Sequence, residues 1–139
     1  MKHIIPIFIA ILLSACSAKP QKYYYDCREQ QKEIWSKAIS SLTFQMGYAV
    51  ENLDSINNTI VATKLLQNTG TTSGLFLEFL QLHISYKSDS LSEITPYYVT
   101  EQNANRKVYA LSKEQQKIYE PEILQFIERM KYYCNPRFK

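Results

Sequence analysis

The sequence predicts an α+β fold: a two-layer domain whose four-stranded antiparallel sheet is flanked by an N-terminal and a C-terminal helix, in the order α-β-β-β-β-α. Three observations lead there. Apolar residues recur every three or four positions in residues 27–46 and again in residues 112–134. Between these segments, β-branched and aromatic runs alternate with Asn-, Ser- and Gly-containing turn signals. Only three of the 139 residues are Gly, which favours ordered structure over a low-complexity chain.

The first helix is expected over residues 27–46. Ile34, Trp35, Ala38, Ile39, Leu42 and Met46 form its stripe, with Trp35 as the largest core anchor. Asp26 is its expected N-cap, Glu29 the acid three residues on, and Gly47 the residue after its end. A first strand begins at Tyr48-Ala49-Val50 and fades by Asp54; Asn57-Asn58 suits a tight turn because Asn tolerates positive φ. Residues 59–66 read as the second strand and residues 67–74 as a mobile loop. Residues 75–86 are the clearest strand, with Leu80, Leu82, Ile84 and Tyr86 on one side and Gln81, His83 and Ser85 on the other. Residues 94–100 make the fourth strand, where Pro96 argues for an edge or a strand start. Residues 107–111 fit either a short fifth strand or irregular chain. The last helix starts at a capping box, Ser112 with Gln115, and is kinked or restarted by Pro121. Its stripe is Ile123, Leu124, Ile127 and Met130.

The leader has its own logic. Lys2 and His3 precede an apolar run, residues 4–13, and the small residues Ser14 and Ala15 precede Cys16. Ten residues span roughly 15 Å as a helix, half the thickness of a bilayer core, so the run is a leader and not a span. Leu13-Ser14-Ala15-Cys16 resembles the lipobox of bacterial lipoproteins; the alternative is an ordinary secretory signal with an incidental cysteine. The resemblance implies that residues 1–15 are removed as a signal peptide and that Cys16 carries the lipid, a covalent acyl anchor of the palmitate type and the only added group. Two or more acyl chains anchor a protein stably to a membrane. The resemblance also implies the cell envelope, and a non-acidic Ser17 implies the outer membrane facing the periplasm. Residues 16–26, with Pro20, then form a lipidated tether, and residues 27–139 a single α+β domain.

Cysteine usage fits export. With Cys16 lipidated, Cys27 and Cys134 remain, either as one disulfide in an oxidising compartment or as two separate buried thiols. A disulfide needs Cα atoms within about 7 Å, which requires antiparallel helices. In an up-and-down meander an even strand count delivers that, so the pairing supports four strands. The disulfide end and the tether would then share one pole, which should face the bilayer. That pole carries Lys22, Tyr23, Tyr24 and Tyr25 together with Lys131, Tyr132, Tyr133, Arg137, Phe138 and Lys139. The alternative is that these tyrosines pack on the helices. On the membrane-facing reading, the loop at residues 67–74 points away and is the partner site.

Helix-grip domains of envelope lipoproteins, such as the lipoprotein subunit of the outer-membrane-protein assembly machine, provide a second resemblance. The residues behind it are the Trp35 helix, Gly47-Tyr48-Ala49-Val50, Asp54 and Thr59-Ile60-Val61-Ala62-Thr63, about forty residues in all. Asn57-Asn58 stands where those families often have glycine. This resemblance implies a helix-grip arrangement.

Composition narrows the function. Losing Lys2 with the leader lowers the formal charge from +3 to +2, with basic residues scattered, so nucleic-acid binding gets no support. All eleven Tyr lie after the leader. His83 is the one histidine outside the leader, and its place opposite the apolar face reads as solvated or edge. There is no Gly-rich phosphate loop and no nucleophile elbow. Glu29, Glu33, Glu120, Glu122 and Glu128 are spaced as a charged helix face. No catalytic, cofactor-binding or metal residue is therefore expected, and no enzyme. The expected function is a membrane-anchored, non-catalytic binding or scaffolding module of a periplasmic or outer-membrane complex, with an envelope protein as partner. The alternative is a carrier or sensor of an apolar ligand held between helix and sheet.

Overall fold

The computed structural model describes residues 19–27, 31–88 and 90–134. The chain is α+β, with one antiparallel sheet and two helices, but the sheet has six strands where four were expected. The elements are β1 (Tyr23–Asp26), α1 (Gln31–Ser40) continued by a π-helical turn (Ser41–Gln45), β2 (Ala49–Asp54), β3 (Thr59–Thr71), β4 (Gly74–Tyr86), β5 (Leu91–Gln102), β6 (Asn105–Ala110) and α2 (Lys113–Tyr133). The sheet order is β1-β5-β4-β3-β2, with β6 also on β5.

The two extra strands share one edge. β1 covers β5 from Leu91 to Ile94, and β6 covers it from Tyr97 to Gln102. Pro96 falls in the gap between them, opposite Leu82 of β4. Its strand as a whole lies inside the sheet, but Pro96 itself sits at a local edge, where β5 has no partner on one side. The expected tether is shortened by β1: Tyr23 and Tyr25 point into the core while Tyr24 points out. Asp26 ends β1 opposite Leu91 and so does not cap α1, and the Cys27 N–H donates to the Ser90 carbonyl. Glu29 lies outside the described residues.

Residues 67–74 are a hairpin and not a loop. β3 and β4 pair from Thr59↔Ser85 to Thr71↔Gly74, with one bulge between Leu65 and Gln67. Asn68 and Gly70 disfavour a strand and outweigh the β-branched Thr69 and Thr71 locally, but Leu75, Phe76 and Leu77 of β4 supply the partner strand. Local signals elsewhere are met. Asn58 adopts φ 55°, and Asp54 Oδ1 accepts from the Ile56 and Asn57 N–H groups at 2.9 and 3.0 Å. Gly47 adopts φ +75°, and the next residue, Tyr48, donates its N–H to the Leu42 carbonyl. The Ser112–Gln115 capping box is complete in both directions. Pro121 does not restart α2, which runs through it unbroken; Pro121 and Lys117, whose carbonyl loses its helical donor there, both lie on the exposed side of the helix.

Both helices lie on one face of the sheet. Ile60, Ala62, Leu80, Leu82, Ile84 and Ile94 meet Leu42 of the π turn and Ile123, Phe126 and Met130 of α2, all fully buried. Leu124, expected in the α2 stripe, is exposed, and Phe126 takes its place at i+3 from Ile123. α2 crosses this face from β1, where Tyr25 meets Phe126 edge-on, to β3, where Lys64 pairs with Glu122 at 2.6 Å.

Cys27 and Cys134 are bonded, with Cα atoms 5.3 Å apart. The strand count inferred from that bond is nevertheless wrong. β6 stops at Ala110, opposite Tyr97 in mid-sheet, and α2 continues in the same sense towards the disulfide. A half-length strand makes the reversal unnecessary. The helices still run antiparallel, since contacts step from Cys27–Cys134 through Lys37–Tyr133 to Gln45–Arg129.

Candidate functional site

Two surfaces follow from this architecture, one apolar beside α1 and one polar on the helix-free face of the sheet.

The apolar surface exists because the stripe of α1 is wider than the sheet beneath it. Ile34, Ala38, Leu42 and Met46 are buried, whereas Trp35 and Ile39 sit at the rim. β2 is the last strand on that side and only six residues long, so among the described residues nothing beyond it covers them. Trp35, Ser36, Ile39, Ser40, Phe44 and Leu53 line an open groove of about 600 Å³. Phe44 is 87% exposed, and Ile56, in the turn after β2, is 90% exposed. Trp35 is therefore less an inner anchor than a groove wall, stacked on Tyr86 at 5.7 Å. Phe44 and Ile56 were not singled out in the sequence. Phe44 breaks the helical stripe by falling between Leu42 and Met46, and that off-phase position was the available signal.

The helix-free face is concave. Arg106 on β6 donates to Glu51 on β2 at 2.8 Å, although β5, β4 and β3 lie between them. Four flat strand spacings would total about 19 Å, more than an arginine and a glutamate can bridge, so the sheet curls around this face. Glu51 occupies a bulge between Val50 and Asn52 and points inward. Gln81 Nε2 donates to Glu51 at 3.1 Å, Gln81 Oε1 lies 2.7 Å from His83 Nε2, and the His83 ring meets Tyr97 edge-on at 4.7 Å. Burial acts to raise the Glu51 pKa, but hydrogen bonds from Arg106, Thr63 and Gln81 and the Arg106 charge outweigh it and hold the carboxyl below its ordinary range. Burial lowers the His83 pKa against a smaller opposing pull from Glu51, which favours the neutral ring. His83 is thus a half-buried member of a network on central strand β4, not an edge residue. Its side chain neighbours an amide rather than a carboxylate, and the carboxylate beyond is already engaged by Arg106. The arrangement ties the edge strands together.

The other expected residues are dispersed. Tyr23 and Tyr25 are 8% and 2% exposed and turn under α2, so they present no ring to a bilayer. Lys22 pairs with Glu93 and Lys131 with Glu128. Tyr24 and Tyr132 are exposed, and Tyr133 is half-buried beneath Lys37. β1 also runs towards the disulfide, so the chain enters the sheet opposite Ile94, away from that pole. Cys16, Arg137, Phe138 and Lys139 lie outside the described residues. Of the charged helix face, Glu120 accepts from the Tyr23 hydroxyl at 3.3 Å and Glu122 pairs with Lys64, so two of its members turn to the sheet. Among the described residues, no three His, Cys, Asp or Glu side chains group as a metal site. No described helix is long and apolar enough to cross a membrane.

No known family model matches the chain, and no curated protein matches it. Among solved structures, it is similar to a TBP-like protein from Parabacteroides distasonis, at 13% identity and a TM-score of 0.43, over 83% of this chain and 96% of that one. It is also similar to a DUF4468 family protein from Bacteroides ovatus, at 12% identity and a TM-score of 0.36, over 81% of this chain and 77% of that one.

Proposed function

We infer that this chain is a membrane-anchored envelope lipoprotein that works as a non-catalytic binding module, holding the apolar side chains of an envelope protein in the groove beside α1. One observation carries the binding half: Phe44 and Leu53 stand exposed on a groove walled by Trp35 and Ile39. Contiguous exposed apolar surface of this kind marks interaction sites. The location rests on Leu13-Ser14-Ala15-Cys16, with Cys16 as the lipidated residue and the outer membrane, facing the periplasm, as its place. Residues 16–22 reach at most about 25 Å, so the anchor keeps the domain close to the bilayer. An apolar ligand is the second reading. The space between helices and sheet is filled by Leu42, Phe126 and Met130, so such a ligand would lie in the same outer groove.

The test has two arms. Metabolic labelling with an alkynyl fatty acid should mark the full chain and not Cys16→Ser; equal labelling would remove the anchor. A photo-crosslinking residue at Phe44 should capture an envelope protein, and one at exposed Lys113 should not. Phe44→Ser should lose that partner while melting unchanged. Bound lipid in native mass spectra, with no captured protein, would replace the protein partner with the apolar ligand.

A further inference from the structure

The geometry points to a self-association edge: the free outer edge of β3 at residues 67–71 pairs antiparallel with the same edge of a second copy of this chain. Among the described residues the sheet exposes several strand edges, and all but one are guarded. β1 carries Asp26 and follows Lys22. β6 carries Arg106 and Lys107. β2 is bulged and carries Glu51 and Asp54. The gap in β5 holds Pro96. Charge, proline and bulges are the devices by which edges avoid pairing with other chains. β2 pairs β3 only from Thr59 to Thr63, so the outer side of residues 65–71 has no strand partner among the described residues. Beyond the bulge at Leu65/Gln67, no guard remains: residues 65–77 contain neither a charged side chain nor a proline.

The missing charge is what selects the occupant. A two-fold pairing sets each residue against its mirror position, so any charge near the axis would meet itself. The usable window runs from the bulge to the turn, residues 67–71, and its centre is Thr69. Pairing about that centre places Gln67 opposite Thr71 of the second copy, Asn68 opposite Gly70, and Thr69 opposite Thr69. Opposed threonines are a favourable cross-strand pair, and no like charges meet. The interface is isologous and closes at two copies. It is separate from the apolar groove, whose strand residue Leu53 pairs with Ile60 near the other end of β3.

Opposed residues in an antiparallel pair have Cα atoms about 4.5–5.5 Å apart, within disulfide range. The full chain carrying Thr69→Cys should therefore run as a disulfide-linked dimer on a non-reducing gel after mild oxidation, whereas wild type and Lys113→Cys should not. Detergent-solubilised wild type should have the mass of two chains. Thr69→Lys should lose the dimer, and mixing Thr69→Lys with Thr69→Glu chains should restore it, which separates a repelled edge from a misfolded one. No Thr69→Cys dimer, a monomeric wild type, or Thr69→Cys cross-links to a different protein instead would each overturn the proposal.

Discussion

Three turn residues fix how the far ends of the hairpins meet. Asn103 and Ala104 both adopt positive φ, 51° and 60°, in the β5–β6 turn. Asn tolerates that region, but alanine meets its own Cβ against the carbonyl there. Ala104→Gly should raise stability by about 1 kcal/mol, read as a higher denaturant midpoint at unchanged slope. Gly74 faces the opposite constraint. Its φ is +124°, and a Cβ there would sit 2.6 Å from Asn103 Oδ1. Gly74→Ala should lower the same midpoint and disturb both turns together.

At the scale of elements, β1 and the disulfide act as one clamp. β1 places Tyr25 under Phe126 of α2, and one residue after β1 the chain is bonded to the end of α2. Removing a large buried aromatic costs about 3–5 kcal/mol, so Tyr25→Ala should destabilise the fold to that extent in urea titrations; a tether residue would show no change. The bonded cysteines are 107 residues apart. Closing a loop that long stabilises by about 4–5 kcal/mol in the chain-entropy model. Reduction should therefore shift the urea midpoint strongly, with hydrogen exchange rising first in the last turn of α2. An unchanged midpoint under reductant would contradict this account of the clamp.

For the whole molecule, buried phenols and one inward carboxylate set the pH window of stability. Burial raises the pKa of Tyr25, Tyr48 and Tyr86, and burial with the Glu78 contact pushes Tyr98 up to about 12. A folded pKa above the unfolded value near 10 means full stability below pH 10, lost as the pH rises towards the folded values. Thermal melts should fall progressively above pH 10, and Tyr98→Phe should remove part of that fall. Glu51 works in the other direction. Its lowered pKa stabilises above the unfolded value of 4.5 and is lost as the pH falls through the folded one. Arg106 and Glu51 are each about one-third exposed, which tempers the gain. Glu51→Gln should flatten the acid limb and speed hydrogen exchange in β6, because the tie between β2 and β6 weakens.

Local periodicity and backbone chemistry write part of this structure directly into the chain. The α+β class, both helices, the core strands, the Asn58 turn, the Gly47 stop and the Ser112–Gln115 cap were all legible, because each depends on residues within a few positions. The groove was half legible: Trp35 and Ile39 stood in the helical stripe, but their place at its rim depends on how short β2 is. The remaining features depend on long-range pairing. Tyr23–Asp26 became a strand because β5 offered an edge and α2 a surface to cover Tyr23 and Tyr25. Residues 67–71 became a strand because β4 lay alongside. Strand pairing exchanges backbone hydrogen bonds between residues far apart in the chain, so short or polar segments carry no period that announces it. The same cause hid the concave face: Glu51 and Arg106 are 55 residues apart, and only the curl of the sheet brings them to 2.8 Å.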